Sequence, residues 1–269
     1  MTNTSFHVER VRHPIKMRLL TVKRITELSP SMRRITLTGK DLDGFISASF
    51  DDHVKLIVPD VQGGKPSMPT VGDSGLMFEP GRPKPAMRDY TPRSYDPLTR
   101  ELDIDFVLHH DGPATHWASR AEPGHSIGIG GPRGSFVIPM TFDWHLLIGD
   151  ETALPAIGRR LEEFPPETRA IAVIKTGSDD ARIKLDSQCE LQMHWVSDTS
   201  HATLDMDALE TTVRRLDLPQ GEGFIWAAGE YSTIKAIRQH LVDDRGIDKS
   251  RIRASSYWRT STPDAHEQF

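Results

Sequence analysis

The sequence predicts a β-barrel plus α/β chain: an antiparallel six-stranded barrel over residues 1–139, then a doubly wound parallel-sheet domain over residues 140–269. Three observations predict it. From Lys16 to Pro139 the chain runs in short stretches of alternating apolar and polar residues, the period of half-buried strands. Gly and Pro clusters punctuate those stretches, as antiparallel connections require. Beyond Pro139 strand-like apolar runs alternate with segments of helical period, the pattern of βα units around a parallel sheet.

The clearest strand is Glu101–Leu108, where Leu102, Ile104, Phe106 and Leu108 share one face and Glu101, Asp103 and Asp105 the other. Met17–Ile25, Arg34–Thr38, His53–Val58, Arg88–Tyr95 and His125–Gly130 complete the barrel. The Gly- and Pro-rich stretch Val61–Ala86 reads as a long loop or excursion. In the second half, a strand at Trp144–Ile148 precedes a helix whose Leu154, Ile157, Leu161 and Phe164 form one stripe. Strands follow at Ala170–Lys175 and Leu191–Val196. A helix carrying Met206, Leu209, Val213 and Leu216 comes next, then a strand at Phe224–Ala228. Ser232 is expected to cap a helix with Ile234, Ile237 and Leu241 that stops near Gly246, and Arg251–Tyr257 forms the last strand.

Composition removes several function classes. The chain has 269 residues, 37% of them apolar, enough for two packed cores. Its longest apolar runs fall far short of the roughly 20 residues that cross a bilayer. The first 15 residues lack the apolar region and small-residue cleavage site of a secretion signal, so the expectation is a cytoplasmic protein with no membrane partner, read here as a monomer. The formal net charge of −5 disfavours a nucleic-acid partner. With Cys189 the single cysteine, neither a disulfide framework nor a cysteine-ligated cluster can form within the chain, and redox chemistry needs a borrowed cofactor.

Two turns occupy the ligand position of an open α/β sheet, outside the carboxyl ends of its strands. Gly149-Asp-Glu-Thr152 leaves the first strand of the second half, and Ala227-Ala-Gly-Glu230 leaves the fourth; both also read as ordinary βα turns. Gly128-Ile-Gly-Gly-Pro-Arg-Gly134 is no Rossmann fingerprint, because Arg133 stands where the third glycine belongs. His109, His110 and His116 lack the spacing of a specific metal motif.

The most informative segment is Arg88-Asp-Tyr-Thr-Pro-Arg93. It resembles the R-x-Y-[ST] flavin motif of the ferredoxin reductase-like superfamily, and in its R-x-Y-T form the siderophore-interacting protein family, which includes NADPH-dependent ferric-chelate reductases. The resemblance implies that Arg88 neutralises the FAD diphosphate, that Tyr90 lies against the isoalloxazine and that Thr91 bonds its polar edge. Without it, the segment reads as a cross-strand Arg–Tyr pair. His110-Asp-Gly-Pro-Ala-Thr-His-Trp117 resembles the family's diphosphate loop, adding Gly112, Pro113, Ala114 and Thr115 to the FAD contacts, with Trp117 either lining the site or in the core. Asp105, Val107 and His109 occupy the strand that the superfamily sets beside flavin ribose and ring. Gly131-Pro-Arg-Gly134 resembles the turn that closes the superfamily's barrel.

By the same resemblance Asp150, Glu151, Thr152, Ala228, Gly229 and Glu230 approach a nicotinamide dinucleotide, and Tyr257 in Ser255-Ser-Tyr-Trp258 covers the flavin. The donor is NADPH or NADH, with ferredoxin possible. Lys175, Arg182 and Lys184 are the cations available for a 2′-phosphate, or else simply solvated charges. Ferric siderophores are bulky, often anionic oxygen chelates, so Lys55, Arg133 and Arg253 are candidates for an electrostatic cradle. The cofactor carries the chemistry, and no catalytic side chain is expected. The expected function is FAD-dependent reduction of a ferric siderophore or ferric chelate with release of Fe(II). The alternatives are a general NAD(P)H- or ferredoxin-linked flavin oxidoreductase and a non-enzymatic siderophore-binding flavoprotein.

Overall fold

The computed structural model describes residues 6–72, 75–108, 112–197, 207–260 and, for the backbone, 267–268. The chain divides into two compact units, His7–Ile138 and a second made of Pro139–Phe269 with Phe6.

The first unit contains, in chain order, β1 (Glu9–Arg12), β2 (Met17–Ser29), β3 (Met32–Thr38), β4 (Val54–Ile57), β5 (Thr70–Gly72), β6 (Gly75–Met77), β7 (Met87–Tyr90), β8 (Ser94–Asp96), β9 (Glu101–Val107), α1 (Pro113–Ser119), β10 (Ser126–Gly130) and β11 (Gly134–Val137). Seven strands form one antiparallel sheet in the order β7-β4-β10-β2-β3-β9-β8, while β5 with β6 and β1 with β11 make two-stranded ribbons. The alternation of β9 works as its sequence predicts. Leu102, Ile104 and Phe106 enter a core shared with Leu20 and Val22 of β2, Ile35 and Leu37 of β3, Leu56 of β4, Ile127 and Ile129 of β10, and Trp117 of α1.

Two expectations change. The excursion Val61–Ala86 is not all loop, because β5 pairs with β6 inside it. The single strand expected at Arg88–Tyr95 is two strands, so the sheet has seven members and not six. Pro92 lacks an N–H and cannot continue a ladder; β7 stops at Tyr90, and β8 starts at Ser94 on the opposite edge of the sheet. Three intervening residues reach at most about 14 Å. The sheet must therefore curl until its two edges come within that span.

The second unit follows as β12 (Trp144–Asp150), α2 (Leu154–Glu163), β13 (Arg169–Thr176), β14 (Glu190–Ser197), α3 (Ala208–Arg215), β15 (Gly223–Glu230), α4 (Tyr231–Gln239), β16 (Ile252–Trp258) and β17 (Glu267–Gln268). The sheet order is β14-β13-β12-β15-β16-β17, parallel throughout except for β17, which pairs antiparallel with β16. The chain leaves β12 toward one side for β13 and β14, then crosses to the other for β15 and β16, so the order reverses between β12 and β15. Leu146, Leu147 and Ile148 on β12 and Ile225, Trp226 and Ala227 on β15 are buried without alternation, as a sheet covered on both faces requires.

The helices match their apolar stripes with two adjustments. Met206 lies outside the described residues, and α3 starts at an Asp207 cap whose carboxylate accepts the Leu209 N–H at 2.8 Å. The cap of α4 is Glu230 and not Ser232: its carboxylate accepts the Ser232 N–H at 2.6 Å and the Thr233 N–H at 3.0 Å. A longer acidic side chain two residues earlier starts the helix at Tyr231, takes the amides of Ser232 and Thr233, and complements the helix dipole. Beyond α4 the chain turns at Gly246 with φ 68°, the left-handed stop expected of glycine. No helix among the described residues is long and apolar enough to cross a membrane.

Candidate functional site

The flavin motif sits on an edge strand. Among the described residues β7 pairs only with β4, placing Asp89 opposite Lys55 and Tyr90 opposite Val54. Strand alternation sends Arg88 and Tyr90 to one face and Asp89 to the other, where the Asp89 carboxylate accepts from the Lys55 ammonium at 2.7 Å. The Arg88 guanidinium donates to the Met87 carbonyl at 2.9 Å. The Tyr90 ring packs on Phe106 with centroids 4.6 Å apart while part of its surface stays exposed. Its hydroxyl is withdrawn into the protein and hydrogen-bonded to Thr115; burial pushes the phenol up to about 12, partly opposed by that bond and by the Arg88 charge. Thr91 is buried at the strand's end.

Thr115 ties this strand to the start of α1. Gly112 is the N-cap and has no side chain to cap with, and Pro113 opens the helix. The amides of Ala114 and Thr115 therefore begin α1 with no side-chain cap among the described residues, while the Thr115 hydroxyl also stands 3.5 Å from the Val107 carbonyl. Two motifs apart in sequence, Arg88–Thr91 and Gly112–Thr115, thus converge through one phenol–hydroxyl contact. The donor set fits FAD: a guanidinium and helix amides with no side-chain cap among the described residues suit a diphosphate, and a half-buried phenol ring with an anchored hydroxyl suits a planar heterocycle.

Other expected contacts are placed differently. The Asp105 side chain is fully buried, held by Arg34 at 2.7 and 2.9 Å and by Arg93 at 3.9 Å. Its carboxylate is filled from β3 and from the linker after Tyr90, so it supports the motif from beneath. Alternation had put Asp105 on an outer face; the opposing arginine at the same register position, Arg34, is what lets that face be buried. Val107 is buried at the end of β9. Trp117 belongs to the core, with its ring 5.9 Å from Phe106, which decides between its two readings. His109 and His110 lie outside the described residues. Among the described residues no cluster of His, Cys, Asp or Glu could hold a metal ion.

Of the three proposed cradle cations, Lys55 is paired with Asp89 and lies opposite Gly130 of β10. Arg133 is exposed in the turn that follows β10. Arg253 is half-buried on β16 of the second unit. Sequence reading missed Arg18. It is nearly inaccessible, donates to the Gly131 carbonyl at 2.9 Å and stacks over Phe45 at 5.1 Å, pinning the turn that carries Arg133. Desolvation lowers its pKa, against the pull of Tyr95 and Asp41.

In the second unit the acidic turn residues make internal bonds. Asp150 accepts from the Thr152 amide at 2.9 Å, the Glu230 amide at 3.1 Å and the Trp258 indole at 2.8 Å. The buried Glu151 carboxylate accepts the Gly177 N–H at 2.6 Å, and Glu230 caps α4. Ala228 and Gly229 are buried at the end of β15, and the Tyr257 ring stands edge-on to Trp226 at 6.3 Å. The three cations available for a 2′-phosphate are ion-paired: Lys175 with Asp207 at 2.7 Å, Arg182 with Asp179 at 2.5 Å and Lys184 with Asp186 at 2.6 Å.

Comparison with known proteins agrees with these motifs. Residues 21–136 match the family model described as siderophore-interacting FAD-binding domain, and residues 142–261 the one described as siderophore-interacting protein. A protein of Escherichia coli named NADPH-dependent ferric-chelate reductase is 35% identical, over 96% of this chain and 99% of its own. A ferric vibriobactin reductase of Vibrio cholerae is 32% identical over 95% of this chain and 92% of its own. The crystal structure of a siderophore utilization protein from T. fusca superposes with a TM-score of 0.87 at 35% identity, covering 96% of this chain and 98% of that one. A ferredoxin reductase of carbazole 1,9a-dioxygenase, 16% identical with a TM-score of 0.65, shares the fold. The chain belongs to the siderophore-interacting protein family.

Proposed function

We propose that this chain is an FAD-dependent reductase that takes electrons from a reduced nicotinamide dinucleotide and delivers them to iron(III) in a siderophore or similar chelate, releasing iron(II). The observation that carries the reading is the convergence of Arg88, the half-buried Tyr90 ring and a start of α1 that no described side chain caps, through the Tyr90–Thr115 bond. The names of the E. coli and V. cholerae relatives support the substrate class. Bound FAD would supply acceptance of one hydride, carrying two electrons, and their release one at a time to two ferric ions.

The protein's part is to bind and orient. Arg88 and the Ala114 and Thr115 amides neutralise the diphosphate, with Gly112 and Pro113 shaping the approach. Tyr90 packs the ring, Thr91 bonds its edge, and Asp105 and Val107 hold the strand beneath; His109 is kept as a ring-edge contact. Asp150, Glu151, Thr152, Ala228, Gly229 and Glu230 shape the dinucleotide crevice, and Tyr257 covers the flavin. Lys55, Arg133 and Arg253 attract an anionic chelate. NADPH is the donor named for the E. coli relative, with NADH the alternative; Arg182 and Lys184 sit in exposed ion pairs weak enough to open toward a 2′-phosphate. The protein acts as a cytoplasmic monomer, which fractionation and size-exclusion chromatography would check.

The test is anaerobic. Purified yellow protein is mixed with NADPH or NADH, then with ferric citrate or a ferric catecholate and an Fe(II) trap. Bleaching by a nicotinamide followed by trapped iron(II) is expected; a flavin that neither donor bleaches would contradict the reading.

A further inference from the structure

The strand order of the second unit reverses between β12 and β15, and an open α/β sheet receives its ligand at that reversal, outside the carboxyl ends of the strands. Asp150 ends β12, Gly229 and Glu230 end β15, and Trp258 ends β16. One carboxylate joins all three. The Asp150 Oδ1 accepts the Thr152 N–H at 2.9 Å and the Thr152 hydroxyl, while Oδ2 accepts the Glu230 N–H at 3.1 Å and the Trp258 Nε1–H at 2.8 Å. The contact to Glu230 bridges the reversal itself.

Two backbone features exist to allow this contact. The β15–β16 register slips after Gly229, so that Glu230 lies opposite Trp258 and Tyr257 is the additional residue of a bulge. A bulge re-aims the side chains beside it, and here it turns the Trp258 indole toward β12. At Gly229 φ is 153°, and a Cβ there would stand 2.6 Å from the Asp150 Oδ2. Only glycine lets the carboxylate lie against that chain.

We infer that Asp150 is a positioning residue for the nicotinamide dinucleotide: it locks the Gly229–Glu230 segment and the Trp258 indole into one crevice and does not itself touch the nucleotide. The inference rests on the nicotinamide-dependent reading above. Both carboxylate oxygens already accept two bonds each, which leaves them filled. Every group facing them is a donor. Asparagine, with one oxygen and one amide nitrogen, must set a donor against donors in either orientation.

The test compares FAD-loaded wild type, Asp150→Asn, Trp258→Phe and the double variant by NADP+ calorimetry, by NADPH steady-state kinetics and by hydrogen exchange at the Glu230 amide. Asp150→Asn is expected to weaken NADP+ about tenfold, to raise KM for NADPH by a similar factor with less than about twofold change in kcat, and to deprotect the Glu230 amide. Trp258→Phe is expected to weaken NADP+ roughly two- to threefold. The double variant should be no weaker than Asp150→Asn alone, since both act through one carboxylate. Unchanged NADP+ affinity or unchanged Glu230 protection in Asp150→Asn overturns the inference. A silent Trp258→Phe with an additive double variant overturns it too, making Asp150 a direct ligand. If Asp150→Asn does not fold, an unaltered NADP+ affinity in Trp258→Phe is the overturning result. Wild type that binds neither NADP+ nor NAD+ overturns the donor reading and this inference with it, whereas binding by wild type with no change in the variants overturns this inference alone.

Discussion

The starts of α1 and α4 are built oppositely. α1 opens on Gly112 and Pro113 with no side-chain cap among the described residues, whereas α4 opens on Glu230, whose carboxylate takes the second and third amides of the helix, those of Ser232 and Thr233. A helix start offers unsatisfied N–H groups and a positive partial charge. A carboxylate cap occupies two of those N–H groups and offsets the positive end against a phosphate; a start with no side-chain cap among the described residues leaves both available. In the function proposed above, the two units use the same physics for different ends, ligand capture in one and crevice shaping in the other.

The strongest way to break this comparison is to give α1 the cap that α4 has. Gly112 has φ 167°, extended backbone open to any residue, and a Cβ there meets nothing within 4 Å among the described residues. Gly112→Asp is expected to weaken FAD by up to about a thousandfold, through filled amides and like-charge repulsion, while leaving the apoprotein as stable or slightly more so. FAD fluorescence titration and thermal melts check both halves.

The pH dependence of stability should also differ between units. Burial depresses the His145 pKa from 6.5 to about 3, with the nearby Arg160 charge adding to the effect and a Met140 backbone bond opposing it. A depressed histidine contributes stability above its unfolded pKa and loses it as pH falls, here across the window from 6.5 toward 3, to the extent of up to about 5 kcal/mol. In the first unit Tyr90, raised from 10.0 to about 12, contributes stability below pH 10 and loses it as pH rises toward 12. Denaturant midpoints against pH should therefore lose the acid limb in His145→Phe and the alkaline limb in Tyr90→Phe.

Arg88→Ala is expected to weaken FAD roughly a hundredfold, the loss of charge-assisted bonds to a diphosphate, and to purify colourless. The smallest effect is at the other helix: Glu230→Gln should cost about 1 kcal/mol of stability and leave the FAD affinity unchanged. Equal loss of FAD in both variants would erase the contrast.

What the sequence made legible follows the range of each interaction. Alternation within β9 and the 3-4-3 stripe of α2 are set by neighbours a few residues apart, and both appear where their periods place them. Pro92 was visible too, but the polar–apolar rhythm runs through it and hid the break between β7 and β8. The roles of Asp105 and Asp150 were not legible. Asp105 is held by Arg34, 71 residues away, and Asp150 by Trp258, 108 residues away. A carboxylate's neighbours in sequence do not tell whether it will meet a ligand or an internal donor. The glutamate cap of α4 was missed for a simpler reason: Ser232 stood in a plausible cap position, and the side chain two residues earlier is longer.

The most direct measurement titrates apoprotein with FAD, FMN and riboflavin under identical conditions. A diphosphate held by Arg88 and the open start of α1 predicts that FAD binds at least about a hundredfold more tightly than riboflavin, with FMN between them. Equal affinity for the three would contradict the account.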